Sequence, residues 1–288
     1  FFGKIYGFYS GLFKIIGKTD AILVHMIPKY VILAAPVAFF YKKPIYMWYT
    51  GVAVHWQLRL AIVLCKKVFT AHEAAMRVNT TKRIITGHGI TNLFKMSNVK
   101  CQMSNVTVLS VGRITPSKGH DLIVRAVADL IKSGYNIKLK IIGGVIQNEH
   151  KKYSESLKEL AKNLQIEKDV EFLGPVSYEN MPNYFQNADI LVNAVTFGGL
   201  DKVILEAMAA GVIPLTSNSA FSDVLPRAFA DDLIFKEKDS EDLKNKLKNI
   251  LDKKLYQNET LRGELRNIVV EKHNLNILID KIAKEISR

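Results

Sequence analysis

The chain of 288 residues is short of cysteines and long apolar runs, and each shortage removes a class of protein. Its two cysteines, Cys65 and Cys101, stand far apart with no CxxC pair or Cys/His cluster beside them. That excludes a disulfide scaffold and a zinc module, and it points to a reducing, cytoplasmic setting. No charge-free apolar run reaches the roughly 20 residues that a membrane-crossing helix needs. The best candidate, Tyr30 to Tyr41, is too short and ends in Lys42-Lys43. An initiator Met and a signal-peptide pattern are both missing, since the chain opens Phe1-Phe2, and the expectation is a fragment or processed product. There is no Asp-x-Asp pattern at a strand end, and Asp231-Asp232 follows a helix-like stretch and reads as a surface turn. Neither a metal nor a cofactor is expected.

What is present is a 48% hydrophobic composition, enough to bury one or two domain cores. Forty Lys and Arg against 27 Asp and Glu give a net charge of +13, which fits nucleic acid, an anionic membrane surface or a phosphorylated small molecule. The basic residues are scattered and no nucleic-acid module signature occurs, so no nucleic-acid partner is expected. The opening segment Phe1–Lys18 mixes Phe, Tyr, Ile and Leu with Lys4, Lys14 and Lys18. It reads either as a peripheral contact with the inner face of a membrane or as a core-facing helix.

Short apolar runs alternate with helix-length amphipathic stretches, the pattern of a parallel sheet. In the first segment the expected strands are Ala21–Val24, Pro44–Tyr49, Val68–Thr70 and Arg83–Thr86, with helices over Lys29–Tyr41 and Trp56–Cys65. Asn92–Asn105 is polar and irregular and reads as a linker. The second segment predicts strands at Val106–Val111, Ile137–Ile142, Val170–Leu173, Ile190–Ala194 and Val212–Thr216. Helices are predicted over His120–Ser133, Ser154–Leu164, Tyr178–Gln186 and from Lys202, followed by two Lys-rich ones, Glu241–Leu255 and Leu261–Ile286. The architecture is doubly wound α/β, with ligands expected at the carboxyl ends of strands.

Residues 198–211, Gly-Gly-Leu-Asp-Lys-Val-Ile-Leu-Glu-Ala-Met-Ala-Ala-Gly, run from a glycine loop straight into a small-residue helix between two strands. That geometry offers a ligand a helix N-terminus. Glu206 sits among Val203, Ile204, Leu205 and Met208, so its helix face is apolar, and a buried acid needs a specified partner. A ribose diol, with two donors, is one such partner. Lys202 opposes the helix dipole unless an anion lies beside it. After Val106–Val111 comes Gly112-Arg113-Ile-Thr-Pro-Ser-Lys118-Gly119, which puts two cations on one strand-end loop. The pair suits a diphosphate, Arg as a planar fork and Lys as a mobile charge; on spacing alone it also fits a solvated surface loop.

These features resemble retaining glycosyltransferases of the GT-B fold, specifically glycosyltransferase family 4. The residues that carry the likeness are Val111-Gly112-Arg113 with Lys118-Gly119, the strand ends Gly143-Gly144 and Phe172-Leu173-Gly174, Leu205–Ala209 with Gly211, and Pro214–Ser217. It covers residues 106–226 in order and extends more weakly through Val24–Pro28, Trp48-Tyr49-Thr50 and Thr86–Ile90. The resemblance implies two Rossmann-like domains facing a cleft, the first (1–96, acceptor side) incomplete and N-terminally truncated. The second (97–265) would hold a nucleotide sugar, and a C-terminal helix (266–288) would pack back on the first.

Carried over, Arg113 and Lys118 bind the donor diphosphate and stabilise the leaving nucleotide, and Glu206 binds the ribose. Gly112, Gly144, Leu173, Gly174, Val176, Gly199, Lys202 and Leu205 complete the donor site, and His25 lies by the reacting sugar or is structural. His88 is expected to be structural. The implied activity moves a hexosyl group from a UDP- or GDP-sugar to a glycan or lipid-linked acceptor without a metal. The alternatives are a nucleotide-sugar-binding protein without turnover or a sugar-nucleotide epimerase of the same fold. One departure stands out. The acid that the family places eight residues before the helix glutamate is here Gly198, with Asp201 the nearest substitute.

Overall fold

The computed structural model describes residues 2–96, 105–146, 148–195 and 198–287. Backbone proximity divides the chain into two units, Phe1–Gly89 with Leu275–Arg288, and Ile90–Asn274. The chain thus leaves the first unit at Gly89/Ile90 and returns to it at Leu275.

The first unit contains α1 (Phe2–Ile16), β1 (Ile22–His25), α2 (Pro28–Phe40), β2 (Ile45–Trp48), α3 (Trp56–Leu64), β3 (Lys67–Thr70) and β4 (Arg83–Ile85). Its sheet is parallel in the order β1-β2-β3-β4, with Met47 opposite Val68 and Phe69 opposite Ile84. Ile45, Tyr46 and Met47 are consecutive and all buried, as a parallel strand covered on both faces requires. His55 caps α3 by accepting from the Leu58 amide at Nδ1 (3.2 Å). At the other end Lys82 Nζ donates to the carbonyls of Ile62 (3.0 Å), Val63 (2.6 Å) and Cys65 (2.7 Å). The opening segment forms α1, which packs Phe8 and Leu12 on the core and buries Ile16, while Tyr6, Phe13 and Ile15 stay exposed.

The second unit contains β5 (Val106–Val111), α4 (His120–Lys132), β6 (Ile137–Ile142), α5 (Lys151–Asn163), β7 (Val170–Gly174), α6 (Met181–Gln186), β8 (Ile190–Asn193), α7 (Lys202–Ala209), β9 (Ile213–Thr216), α8 (Ala230–Leu233), α9 (Ser240–Asp252) and α10 (Glu259–Lys272). Its parallel sheet has the order β7-β6-β5-β8-β9. The chain winds outward on one side of β5 and then on the other, so the crevice for a ligand opens beyond the carboxyl ends of β5 and β8. Buried Val108, Leu109, Leu139, Ile141, Leu191 and Leu215 from these strands belong to one continuous core with Ile123, Val127 and Ile204 of the covering helices.

Two expectations need correction. The helix expected over Leu261–Ile286 is broken at His273-Asn274 into α10 and α11 (Leu275–Ile286). Asn274 instead bridges Ile90 in parallel, and the Ile90 amide donates to the His273 carbonyl at 2.7 Å, so the backbone there pairs sideways. Residues 92–105 are also not a plain linker, although 97–104 lie outside the described residues. Phe94 is buried against Phe185 and Tyr178 (ring centroids 5.5 and 5.7 Å), and Arg266 donates to its carbonyl at 3.1 Å.

Candidate functional site

At the carboxyl ends of β5, β6 and β7, facing the start of α7, lies a cavity of about 450 Å³ wholly within the second unit. Of the residues singled out from sequence, Gly112, Arg113, Lys118, Gly144, Val176, Lys202 and Glu206 line it. Asp201, Tyr178, Pro175 and Gly143 join them.

The floor depends on backbone proximity. A Cβ on Gly143 would stand 1.7 Å from the Gly112 carbonyl oxygen, so the β5 and β6 ends can lie this close only with glycine there. Gly119 has φ 60°, and a Cβ on it would meet the Ala194 carbonyl at 2.6 Å. It turns the loop sharply into α4 and brings Lys118 back over Gly112.

His120, the first residue of α4, fixes that loop from below. Its Nε2 lies 3.2 Å from the Arg113 carbonyl and its Nδ1 3.0 Å from Ser110 Oγ. A carbonyl only accepts, so Nε2 carries the proton and Nδ1 accepts from the serine hydroxyl. Burial holds the ring neutral, pushing its pKa down to about 4. Arg113, held in place through its carbonyl, keeps an exposed guanidinium with no hydrogen bond or ion pair among the described residues.

Lys118 is already paired. Its Nζ donates to Asp201 Oδ2 at 2.8 Å, and Asn193 Nδ2 donates to the same oxygen at 3.3 Å. Asp201 occupies the N-cap position of α7 yet makes no side-chain cap. A polar chain continues inward. Thr216 Oγ1 donates to Asn193 Oδ1 (3.3 Å), the Asn218 amide to Thr216 Oγ1 (3.1 Å), and Asn218 Nδ2 to the Gly199 carbonyl (2.7 Å). This network pins both ends of the segment 199–201 to the sheet.

Glu206, only 7% exposed, faces the cavity one turn into α7. Burial raises its pKa to about 7, with Lys202 pulling it down, Asp201 pushing it up and a hydrogen bond from Tyr178 lowering it. Tyr178 is oriented by Phe94 and lies 3.4 Å from Thr91 Oγ1. Chemically the arrangement offers an anion Arg113, Lys202 and the uncapped first turn of α7. It offers a diol a buried carboxylate.

Other expected site residues stand elsewhere. Leu205 is fully buried, because the face of α7 that carries it points into the core rather than to the cavity. Leu173 likewise packs on the core, and Gly174 uses φ 72° to turn the chain towards Pro175 and Val176, which do reach the cavity. Gly199 contributes its carbonyl to Asn218. His25 belongs to the first unit, at the end of β1, where its ring stacks on Trp48 (5.0 Å, 3°), and the His88 ring meets Trp48 edge-on at 6.2 Å.

Sequence reasoning missed Tyr178, His120 and the Lys118–Asp201 pair. A signal existed for His120, a histidine directly after the loop glycine with a serine two residues before Gly112. The other contacts, Tyr178 with Thr91 and Lys118 with Asp201, cross 87 and 83 positions of chain and leave no local mark.

Comparison with known proteins agrees with this architecture. The model of the family Glycosyl transferases group 1 matches residues 94–268. A mouse GDP-Man:Man(3)GlcNAc(2)-PP-Dol alpha-1,2-mannosyltransferase is 30% identical over 117 residues, 39% of this chain and 24% of that enzyme. Protein CapJ of Staphylococcus aureus is 26% identical over 186 residues, 62% of this chain and 45% of CapJ. The matched region thus spans about a quarter of the mannosyltransferase and under half of CapJ. Among solved structures, HepE of Anabaena in complex with UDP superimposes with a TM-score of 0.80 at 17% identity, over 96% of this chain and 81% of that one. A glycosyltransferase from Rickettsia africae gives 0.81 at 18% identity, over 99% and 82%. These likenesses establish the GT-B fold. The family match takes in more than half the chain and centres on the unit that holds the cavity, so the chain belongs to the Glycosyl transferases group 1.

Proposed function

We propose that this chain is a retaining glycosyltransferase that moves a hexosyl group from a UDP- or GDP-sugar to a glycan or lipid-linked acceptor. The observation that carries the reading is the gathering of Arg113, Lys118, Lys202 and Glu206 around one cavity at the switch point of the second sheet. In this reading Glu206 accepts from the ribose hydroxyls, and the backbone at Pro175-Val176 faces the base. The diphosphate lies between Arg113, Lys118 and the start of α7. As the bond from the anomeric carbon to the diphosphate oxygen breaks, the acceptor oxygen bonds that carbon and its proton leaves with the diphosphate. Fixed cations and helix amides stabilise the charge that develops on the leaving group. The reaction as proposed needs no metal. Relatives support the donor class: HepE has been crystallised with UDP and UDP-glucose, and the mouse relative is named for GDP-mannose.

A second reading has its own observation. Gly198 supplies no carboxylate, and Asp201 is committed to Lys118 and Asn193, which fits a protein that binds a nucleotide sugar without turning it over. A thermal-shift screen of UDP- and GDP-sugars followed by transfer from radiolabelled donor, with and without EDTA, decides between them. Turnover that survives EDTA is expected. Donor binding without transfer by the full-length protein would favour the second reading, and no stabilisation by any nucleotide would sink both.

A further inference from the structure

The amino edge of the first unit's sheet carries a surface that the donor site does not use. There the C-terminal turn of α2, the start of β2 and the end of α3 enclose a groove of about 1030 Å³, lined among others by Phe39, Phe40, Lys42, Lys43, Leu64 and Lys66. Phe39 and Phe40 are 87% and 79% exposed. The end of α1 joins the same edge, since the Phe13 ring lies 6.3 Å from Tyr41, and Phe13 and Ile15 are each more than half exposed. A single exposed apolar side chain needs no explanation, but a contiguous group does.

Charge on this unit is one-sided. It holds 15 Lys and Arg against 4 Asp and Glu, whereas the second unit holds 25 against 23. Before Glu73 the only acid is Asp20, set against nine cations, among them Lys14, Lys18, Lys42, Lys43, Lys66 and Lys67. Lysines at helix ends complement the dipoles of α1, α2 and α3. That accounts for some of the charge but leaves two phenylalanines in water beside it.

We propose that this edge docks on an anionic phospholipid bilayer, with Phe39 and Phe40 entering the acyl boundary and the lysines at the headgroups. Aromatics flanked by cations match the two layers of such a surface. No helix among the described residues is long and apolar enough to cross a membrane, so the contact is interfacial. The inference needs only the fold and the charge distribution and stands apart from the proposed reaction.

Co-sedimentation of the full chain with phosphatidylcholine vesicles, with and without phosphatidylglycerol, tests it. Binding is expected to rise with the anionic fraction. Phe39→Ser/Phe40→Ser should weaken binding to the anionic vesicles at least about tenfold by removing the apolar contact. Lys42→Gln/Lys43→Gln should weaken it roughly 25-fold, about fivefold per lysine. Phe39, Phe40 and Lys42 are exposed and Lys43 is half-buried, so both variants' melting temperatures and nucleotide response should stay close to the parent's. Equal binding to neutral vesicles, or parent-like binding by both variants, would overturn the proposal. So would tighter binding to a DNA duplex than to anionic vesicles, which would make the patch a nucleic-acid surface.

Discussion

The two units follow the same strand–helix logic and spend their residues differently. The second is close to neutral in total, with 25 cations against 23 acids, and packs its strands into one continuous core. The first has shorter strands, a smaller core and nearly all of the chain's charge excess. The difference separates two meanings of a net charge of +13. Arg113, Lys118 and Lys202 act in a unit with little field of its own, so an anion there is recognised by placed groups. The general field belongs to the unit that does not hold the cavity, where it suits an extended anionic surface.

The largest expected effect breaks the second unit at its closest backbone approach. Gly143→Ala would place a methyl where the Gly112 carbonyl stands, at 1.7 Å, so the β5 and β6 ends must separate. We expect a loss of about 4 kcal/mol or more, read from urea unfolding, together with loss of nucleotide binding. A variant as stable as the parent would show that the crevice floor is not set by this contact. Next comes Lys118→Ala, which removes a cation from the diphosphate and leaves Asp201 facing it. Calorimetry should show nucleoside diphosphates binding about a hundredfold more weakly. Glu206→Ala should cost less, about tenfold or somewhat more, because a diol is neutral. Parent-like binding by both variants would remove the donor site from this cavity.

How much was legible in the sequence also differs between the units. Val106–Val111 and Ile137–Ile142 were readable to the residue, because glycine or turn residues bound each run of a buried parallel strand. The place of Glu206 and of the Arg113/Lys118 loop at the cavity was readable from local pattern, an acid on an apolar helix face and cations after a strand. Leu205 was misplaced because pattern shows that a helix face is buried but not whether core or ligand buries it. The α10–α11 break was invisible for a related reason. Residues 261–286 keep a helical period throughout, and what stops the helix is a tertiary pairing with Ile90.

Titration sharpens the picture of the second unit. Glu206 is raised from an ordinary 4.5 to about 7, so folding favours its protonated form. Its contribution is fully present below pH 4.5 and is lost as pH rises through 7, by ~3 kcal/mol in the empty protein. His120 acts in the opposite sense. Its value falls from 6.5 to about 4, so stability present above pH 6.5 is lost as pH drops through 4, again by ~3 kcal/mol. Denaturation measured from pH 4 to 8 should show Glu206→Gln removing the alkaline loss and His120→Asn removing the acid one. Nucleotide binding near pH 7 should release protons, because a diol donating to Glu206 stabilises the carboxylate. Proton-independent binding across buffers of different ionisation heat would contradict the diol assignment.

The smallest effect concerns the first unit and asks whether it opens independently of the second. Lys82 spends its three protons on the carbonyls of Ile62, Val63 and Cys65, which α3 leaves without helical partners at its end. Lys82→Met keeps the aliphatic stem and removes these bonds, for an expected cost of about 1–2 kcal/mol at a half-buried site. Cys65 reports on the event directly, since burial pushes its thiol up to about 12 and shields it from alkylation. In a Cys101→Ser background, thiol labelling therefore counts openings of this unit alone. Lys82→Met should speed labelling roughly tenfold while the nucleotide response of the second unit stays at the parent level. If labelling and nucleotide binding fail together, the units open as one cooperative body, and the contrast between them is one of charge and chemistry rather than of stability.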